Sequence, residues 1–307
     1  MRIPSLTIML LLMRQQTPFL ELLPAVVRKS AMKGASGTMR RASTSCERKY
    51  DRTALVVGLG NPGNEHARTR HNAGFQCVDA LDAALSDAVG CSAGDFQKAG
   101  GGADALVRTF ELPQEAATGG RGEELRRAFG SELLGVRHVT LVKPQGFMNR
   151  SGPVVVALMK RLRVAAEDLL VVFDDAGLAT GLCHLSTTKL CPQHNGLTSV
   201  IDSMTKSQAH RFARLRVGVG RPPPSASLAA HVLRPLPPDE QPAFLRARQA
   251  SVRMIGYWLR FPTQLAANKY AQDIRREQTQ RSRQGSSHQR QPPATENTTT
   301  SIQDSTP

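Results

Sequence analysis

Cysteine is sparse and irregular in this chain of 307 residues: Cys46, Cys77, Cys91, Cys183 and Cys191 are odd in number and follow no repeat. That pattern excludes a disulfide-built scaffold. Cys183, His184, Cys191 and His194 cluster and invite a zinc reading. Structural zinc sites, however, pair their ligands at C-x(2–4)-C or H-x(3–5)-H spacing, and seven residues separate these two cysteines. Long apolar runs are missing as well. Leu6–Met13 is the stretch that comes nearest, and it is far short of the ~20 residues that span a bilayer. No internal repeat is evident. A G-x-S-x-G elbow and an obviously activated cysteine are both absent, which argues against a covalent acyl intermediate.

Acidic residues are in deficit, 25 against 40 Lys+Arg, for a net charge of +15. The excess is uneven: +7 over residues 1–52, +7 over 53–272 and +1 over 273–307. Residues 1–52 are rich in Arg, Lys, Ser, Met and Leu, the composition of a mitochondrial transit peptide, with a cytoplasmic chain as the alternative location. Residues 273–307, dominated by Gln, Ser, Arg, Thr and Pro, cannot bury enough apolar surface to fold. The folded domain is therefore expected over 53–272. Its basic surplus favours a polyanionic partner such as nucleic acid.

Within that domain, apolar and β-branched runs recur at Leu55–Val57, Ala105–Phe110, His138–Val142, Leu169–Phe173 and Leu215–Val219. Helical spacing lies between them, near Phe75–Leu85, Gly152–Leu162, Leu197–Met204 and Glu240–Arg260. Such alternation predicts a layered α/β domain with a largely parallel sheet. Residues 86–135, rich in Gly, Ala and mixed charge, read as a surface insert.

The first apolar run leads into GLGNPGNEHARTRHNAG, residues 58–74. Gly58, Gly60 and Gly63 satisfy G-x-G-x-x-G after a strand, the pattern of a dinucleotide site. The context does not fit: Pro62 and a polar run follow, the next helix starts only after Gly74, and Asp79 and Asp82 lie on that helix rather than at the end of a second strand. No cofactor is expected. Three further polar stretches stand where apolar runs end or a helix begins: KPQGFMNRSG (143–152), Asp174 with Asp175, and His194-Asn195-Gly196. Ligands of open α/β sheets bind beyond the carboxyl ends of the strands, so these stretches are able to share one crevice. Pooled, they offer histidine, acid and amides. A histidine oriented by a carboxylate activates water as a general base, while amides position substrate and steady an oxyanion. Hydrolysis of an acyl bond is the chemistry such a set suggests.

Taken in order, GLGNPG with TRHNAG, KPQGFMNRSG, FDDAGL, HNGL and LRVGVGRP resemble the bacterial-type peptidyl-tRNA hydrolases over residues 53–272. The resemblance implies a single three-layer α/β domain, its twisted, mixed, largely parallel sheet flanked by helices. It also implies a monomeric enzyme that cleaves the ester between peptide and tRNA without a metal, with RNA rather than DNA or membrane as partner. His71 then corresponds to the base and Asp174 to its orienting acid. Asn61, Asn149 and Asn195, with Met148 and His66, correspond to substrate contacts, and Arg216 with Lys189 to contacts with tRNA phosphate. The chain departs from the family pattern before Asn195, where TTKLCPQ replaces a glycine-rich run, and after Asp174, where Asp175-Ala176-Gly177 replaces a Glu-Leu-Asp pattern. His66 stands where an aromatic is common, and Ser186 where a lysine is usual. A rival reading is a non-catalytic, splicing-factor-like RNA-binding relative.

Overall fold

The computed structural model describes residues 52–112, 136–188, 194–272 and 274. Seven strands form one sheet in the order β2-β3-β4-β1-β5-β7-β6. They are β1 (Arg52–Gly58), β2 (Gln97–Lys98), β3 (Ala105–Glu111), β4 (Val136–Pro144), β5 (Leu169–Asp175), β6 (Cys183–Ser186) and β7 (Ala213–Gly218). The four inner strands β4, β1, β5 and β7 run parallel, while β2, β3 and β6 add antiparallel edges. The parallel core means that β1, β4 and β5 all deliver their carboxyl ends to the same side.

The inner strands are rich in apolar residues because both faces are covered. Alternation then divides their side chains between two layers. Ala54, Val56, Leu170 and Val172 enter one core, together with Val78, Leu81 and Leu85 of α1 (Ala73–Val89) and Met254, Ile255 and Trp258 of α6 (Gln241–Arg260). Leu55, Val57, Leu169, Val171 and Phe173 enter the other. There they meet Val155, Leu158 and Met159 of α2 (Ser151–Leu162) and Leu197 and Val200 of α3 (Asn195–Asp202). This is the expected three-layer arrangement. Short helices α4 (Lys206–Ala209) and α5 (Leu228–Val232) lie between the larger elements, and a further helical stretch covers 263–272.

The surface insert expected over 86–135 is different where it is described. Ser86–Val89 complete α1, and Gln97–Lys98 and Ala105–Glu111 are strands of the sheet. Residues 113–135 lie outside the described residues, as do 1–51 and nearly all of the tail. Strands β2 and β6 carry too short an apolar pattern to be read from sequence; their partners β3 and β7 define them.

Two glycines set the entrance to the site. A Cβ on Gly74 would lie 2.4 Å from the carbonyl oxygens of both Leu59 and Val172, and one on Gly58 would lie 2.4 Å from that of Gly74. Bare backbone at these positions lets the start of α1 press onto the ends of β1 and β5. The residues just before α1 are thereby brought over Asp174.

Candidate active site

Asp174 is the penultimate residue of β5, and both it and its strand are buried. Its Oδ1 is shared by two imidazoles. His71 Nδ1 lies 2.8 Å away and His194 Nε2 lies 3.0 Å away. Burial opposes ionisation of Asp174, but the charge and hydrogen bonds that His194 and His71 direct at it prevail, and the carboxyl is held well below the usual carboxylate range. The side chain of His71 is 13% exposed and that of Asp174 only 3%, so the histidine is the member of the pair that solvent can reach.

His71 sits in a single 3-10 turn, Arg70–Asn72, whose two flanking side chains fix it. Arg70 is buried and ties the turn to distant backbone, donating to Val219 O (3.3 Å) and Pro235 O (3.0 Å) and pairing with Glu240 at 2.9 Å. Asn72 clamps the glycine loop: its Oδ1 accepts the Asn61 N–H at 2.9 Å, and its Nδ2 donates to the Asn61 carbonyl at 2.9 Å. The Asn61 side chain accepts the Met148 N–H through Oδ1 at 3.0 Å. Asn61 Oδ1 being so engaged, Nδ2 is the donor that its side chain retains. Met148 is buried, and Gly196 makes room for it: a Cβ there would lie 2.5 Å from Met148 Sδ.

The structure thus joins His71 to Asp174 and Asn61 to Met148. Asn149 and Asn195 stand exposed, one in the turn before α2 and the other as the first residue of α3. Neither caps its helix: Ser151 Oγ donates to Met148 O at 2.9 Å, and α3 is capped by His194. His66 lies on the loop rim beside Glu65 (3.8 Å). Lys189 lies outside the described residues.

Arg216, expected to grip phosphate, lies on β7 between β5 and β6, its side chain 10% exposed and its guanidinium paired to Asp175. Arg214, two residues earlier, is also buried, stacked over Phe212 at 4.1 Å and bonded to the carbonyls of Thr187 and Ala209.

Sequence reasoning missed Arg70, the clamp that Asn72 places on Asn61, and the link from His194 to Asp174. His194 immediately precedes α3 and accepts the Leu197 N–H through Nδ1 at 3.1 Å, the geometry of an N-cap. That position was readable from HNGL; the reach to Asp174 was not.

His71, Asp174 and His194 also form the set of described residues with metal-ligating atoms within 4.8 Å of one another. Donors around a tetrahedral zinc stand about 3.3 Å apart. At 2.8 and 3.0 Å, the two contacts to Asp174 are hydrogen bonds, each holding a proton. The cysteine–histidine cluster noted in the sequence is described only in part. Cys183 donates to the Ala247 carbonyl at 3.3 Å, and Cys191 lies outside the described residues. Burial pushes the Cys77 thiol up to about 11, and it raises Cys183 too, so both persist as thiols rather than nucleophiles.

A family model described as peptidyl-tRNA hydrolase matches residues 55–280. A peptidyl-tRNA hydrolase of Halalkalibacterium halodurans is 36% identical over 193 residues, 63% of this chain and 86% of that protein. One from Desulforamulus reducens is 34% identical over 218 residues, 71% of this chain and 88% of its own length. A chloroplastic peptidyl-tRNA hydrolase of Arabidopsis thaliana is 35% identical across 61% of this chain and 54% of that one. Among solved structures, the peptidyl-tRNA hydrolase of Acinetobacter baumannii superposes with a TM-score of 0.55 at 26% identity, over 72% of this chain and 95% of the other.

Proposed function

Because the chain belongs to the peptidyl-tRNA hydrolase family, we propose that its His71–Asp174 pair drives the family reaction. The activity is hydrolysis of the ester that joins a peptide to tRNA, releasing the peptide and a reusable tRNA. The observation that carries the assignment of residues is the 2.8 Å bond from His71 Nδ1 to a buried carboxylate held ionised, with the imidazole itself partly exposed. With Nδ1 donating to Asp174, the lone pair of His71 is on Nε2, where it takes a proton from water. The water oxygen bonds to the ester carbonyl carbon, and the proton on Nε2 passes to the departing ribose oxygen as the C–O bond breaks. Asp174 stabilises the imidazolium between these steps. The Nδ2 of Asn61, with the exposed amides of Asn149 and Asn195, supports a role in holding the peptide and the developing oxyanion.

Incubating the full chain with an N-blocked aminoacyl-tRNA tests this reading. His71→Ala should lower the hydrolysis rate by roughly a thousandfold or more while leaving tRNA binding intact. Undiminished cleavage in that variant removes His71 from the mechanism. If wild type binds tRNA but releases no peptide, the RNA-binding relative becomes the correct reading.

The plant relative is chloroplastic, so an organelle is a location this family serves. The basic, Ser-rich composition of residues 1–52 supports mitochondrial import of this chain as a monomeric enzyme. Residues 1–52 fused to a fluorescent reporter should direct it to mitochondria; a diffuse cytosolic signal overturns the assignment.

A further inference from the structure

Asp174 Oδ1 accepts from two histidines, and only one of them is needed to activate water. The second, His194, is fully enclosed: its side chain is 3% exposed, and its ring lies edge-on to Phe173 (5.1 Å between centroids) and tilted against His71 (5.0 Å). Buried there, it does not touch solvent-borne substrate directly. Its protonation pattern, however, is determined by a third group. The Leu197 N–H, an orphan donor of the first turn of α3, points at His194 Nδ1 at 3.1 Å. An N–H facing Nδ1 requires that nitrogen to be the acceptor, so the imidazole proton is on Nε2 and is donated to Asp174.

We propose that His194 is a positioning residue that, by donating from Nε2 to Asp174, sets both the orientation of the carboxylate and the basicity of His71. This rests on the roles assigned above to His71 and Asp174. The route runs from the α3 backbone through His194 to Asp174 Oδ1 and on to His71 Nδ1. Two donors on one oxygen pin the carboxylate in a single rotamer. They also divide its negative charge, so His71 feels an acceptor weaker than a carboxylate that bonds to it alone. The residue that departs from the family's usual glycine surroundings is thus still anchored, because HNGL itself supplies both the imidazole and the amide that orients it.

Capping α3 and donating to Asp174 are separable by substitution. In His194→Asn the side-chain oxygen takes the place of Nδ1 and keeps the cap, but no atom reaches Asp174. In His194→Gln the amide nitrogen takes the place of Nε2 and keeps the donor, while the cap is lost. The pH profile of kcat/KM is measured for both in the full chain, with thermal melting alongside and His71→Ala in the same assay. For His194→Asn the acidic limb should move to higher pH by about half a unit or more, because Asp174 then holds the His71 imidazolium more strongly. Its kcat should fall about tenfold. His194→Gln should retain the wild-type limb and most of kcat, with a lower melting temperature from the lost cap. An acidic limb that stays in place in His194→Asn overturns the proposal, as does a profile shifted only in His194→Gln. Retained activity in His71→Ala would instead overturn the assignment of the base, so the two failures are distinct.

Discussion

Asp174 is a residue at which two environments compete, and its balance yields a stability prediction. Burial disfavours its charge, the two histidines favour it, and the net effect is a carboxyl held below the usual carboxylate range. In the unfolded chain an aspartate titrates near ~3.9. Below that pH the unfolded state takes up a proton that the native state resists, so the contribution of Asp174 is complete above about pH 5 and is lost as pH falls through about 4 and beyond. The melting temperature of wild type should therefore exceed that of Asp174→Asn by more at pH 6 than at pH 3, with a difference of several degrees between the two conditions. Calorimetry across that range checks the sign; a gap that is constant or widens on acidification shows that the charge of Asp174 is not stabilising. The same substitution should cut turnover by a hundredfold or more, since an amide no longer enforces the tautomer with Nε2 free. At this scale the sequence was informative where a residue's chemistry is rare in its surroundings, as with an acid after LLVVF. It was uninformative where charge is met internally. Arg216 reads from LRVGVG as a contact for tRNA phosphate, and only the placement of β7 between two strands shows that its guanidinium meets Asp175, as the neighbouring Arg214 meets backbone carbonyls.

Elements were legible to the extent that their burial is regular. The five apolar runs are β1, β3, β4, β5 and β7, and the four helical spacings are α1, α2, α3 and α6, with ends that differ from the expected ones by up to four residues. Strands β2 and β6 have two and four residues and gain definition only from pairing, so no local signal marks them. The loop from Gly58 to Gly74 is the informative failure. Its glycines fit a phosphate cradle, and local pattern alone does not separate that use from another. The structure uses them for close packing: Gly58 and Gly74 meet backbone to backbone, and Gly60 stands where a Cβ would fall 2.6 Å from the Phe75 ring. Only once that packing seats the 3-10 turn of His71 on the end of β5 does the clamp by Asn72 acquire a purpose. Asn72 was quoted as part of a motif, yet its role is tertiary, holding a backbone eleven residues earlier.

For the whole molecule, the question is where the positive charge acts beyond Arg216, which is paired to Asp175. The span 53–272 retains a surplus of +7, and exposed cations stand next in sequence to site residues, Arg68 on the loop before His71 and Arg150 beside Asn149 in the turn before α2. A substrate whose tRNA portion is a polyanion should be held through such cations by counterion release, with the affinity falling by about 0.7 logarithmic units per contacted phosphate for each tenfold rise in salt. The ester chemistry occurs against a carboxylate that is 3% exposed, where screening is weak. Salt should therefore act on KM and leave kcat nearly unchanged. With three phosphates engaged, raising monovalent salt from about 50 to about 200 mM should lower kcat/KM for N-blocked aminoacyl-tRNA on the order of tenfold. For an N-blocked aminoacyl-adenosine, which keeps the ester but carries no phosphate, the same change should have little effect. Equal salt sensitivity for the two substrates would place the effect in the reaction itself rather than in the grip on tRNA. Charge reversal at Arg68 and Arg150 should flatten the slope for the tRNA substrate alone. Were the slope unchanged, the surplus would have to act through cations elsewhere on the surface.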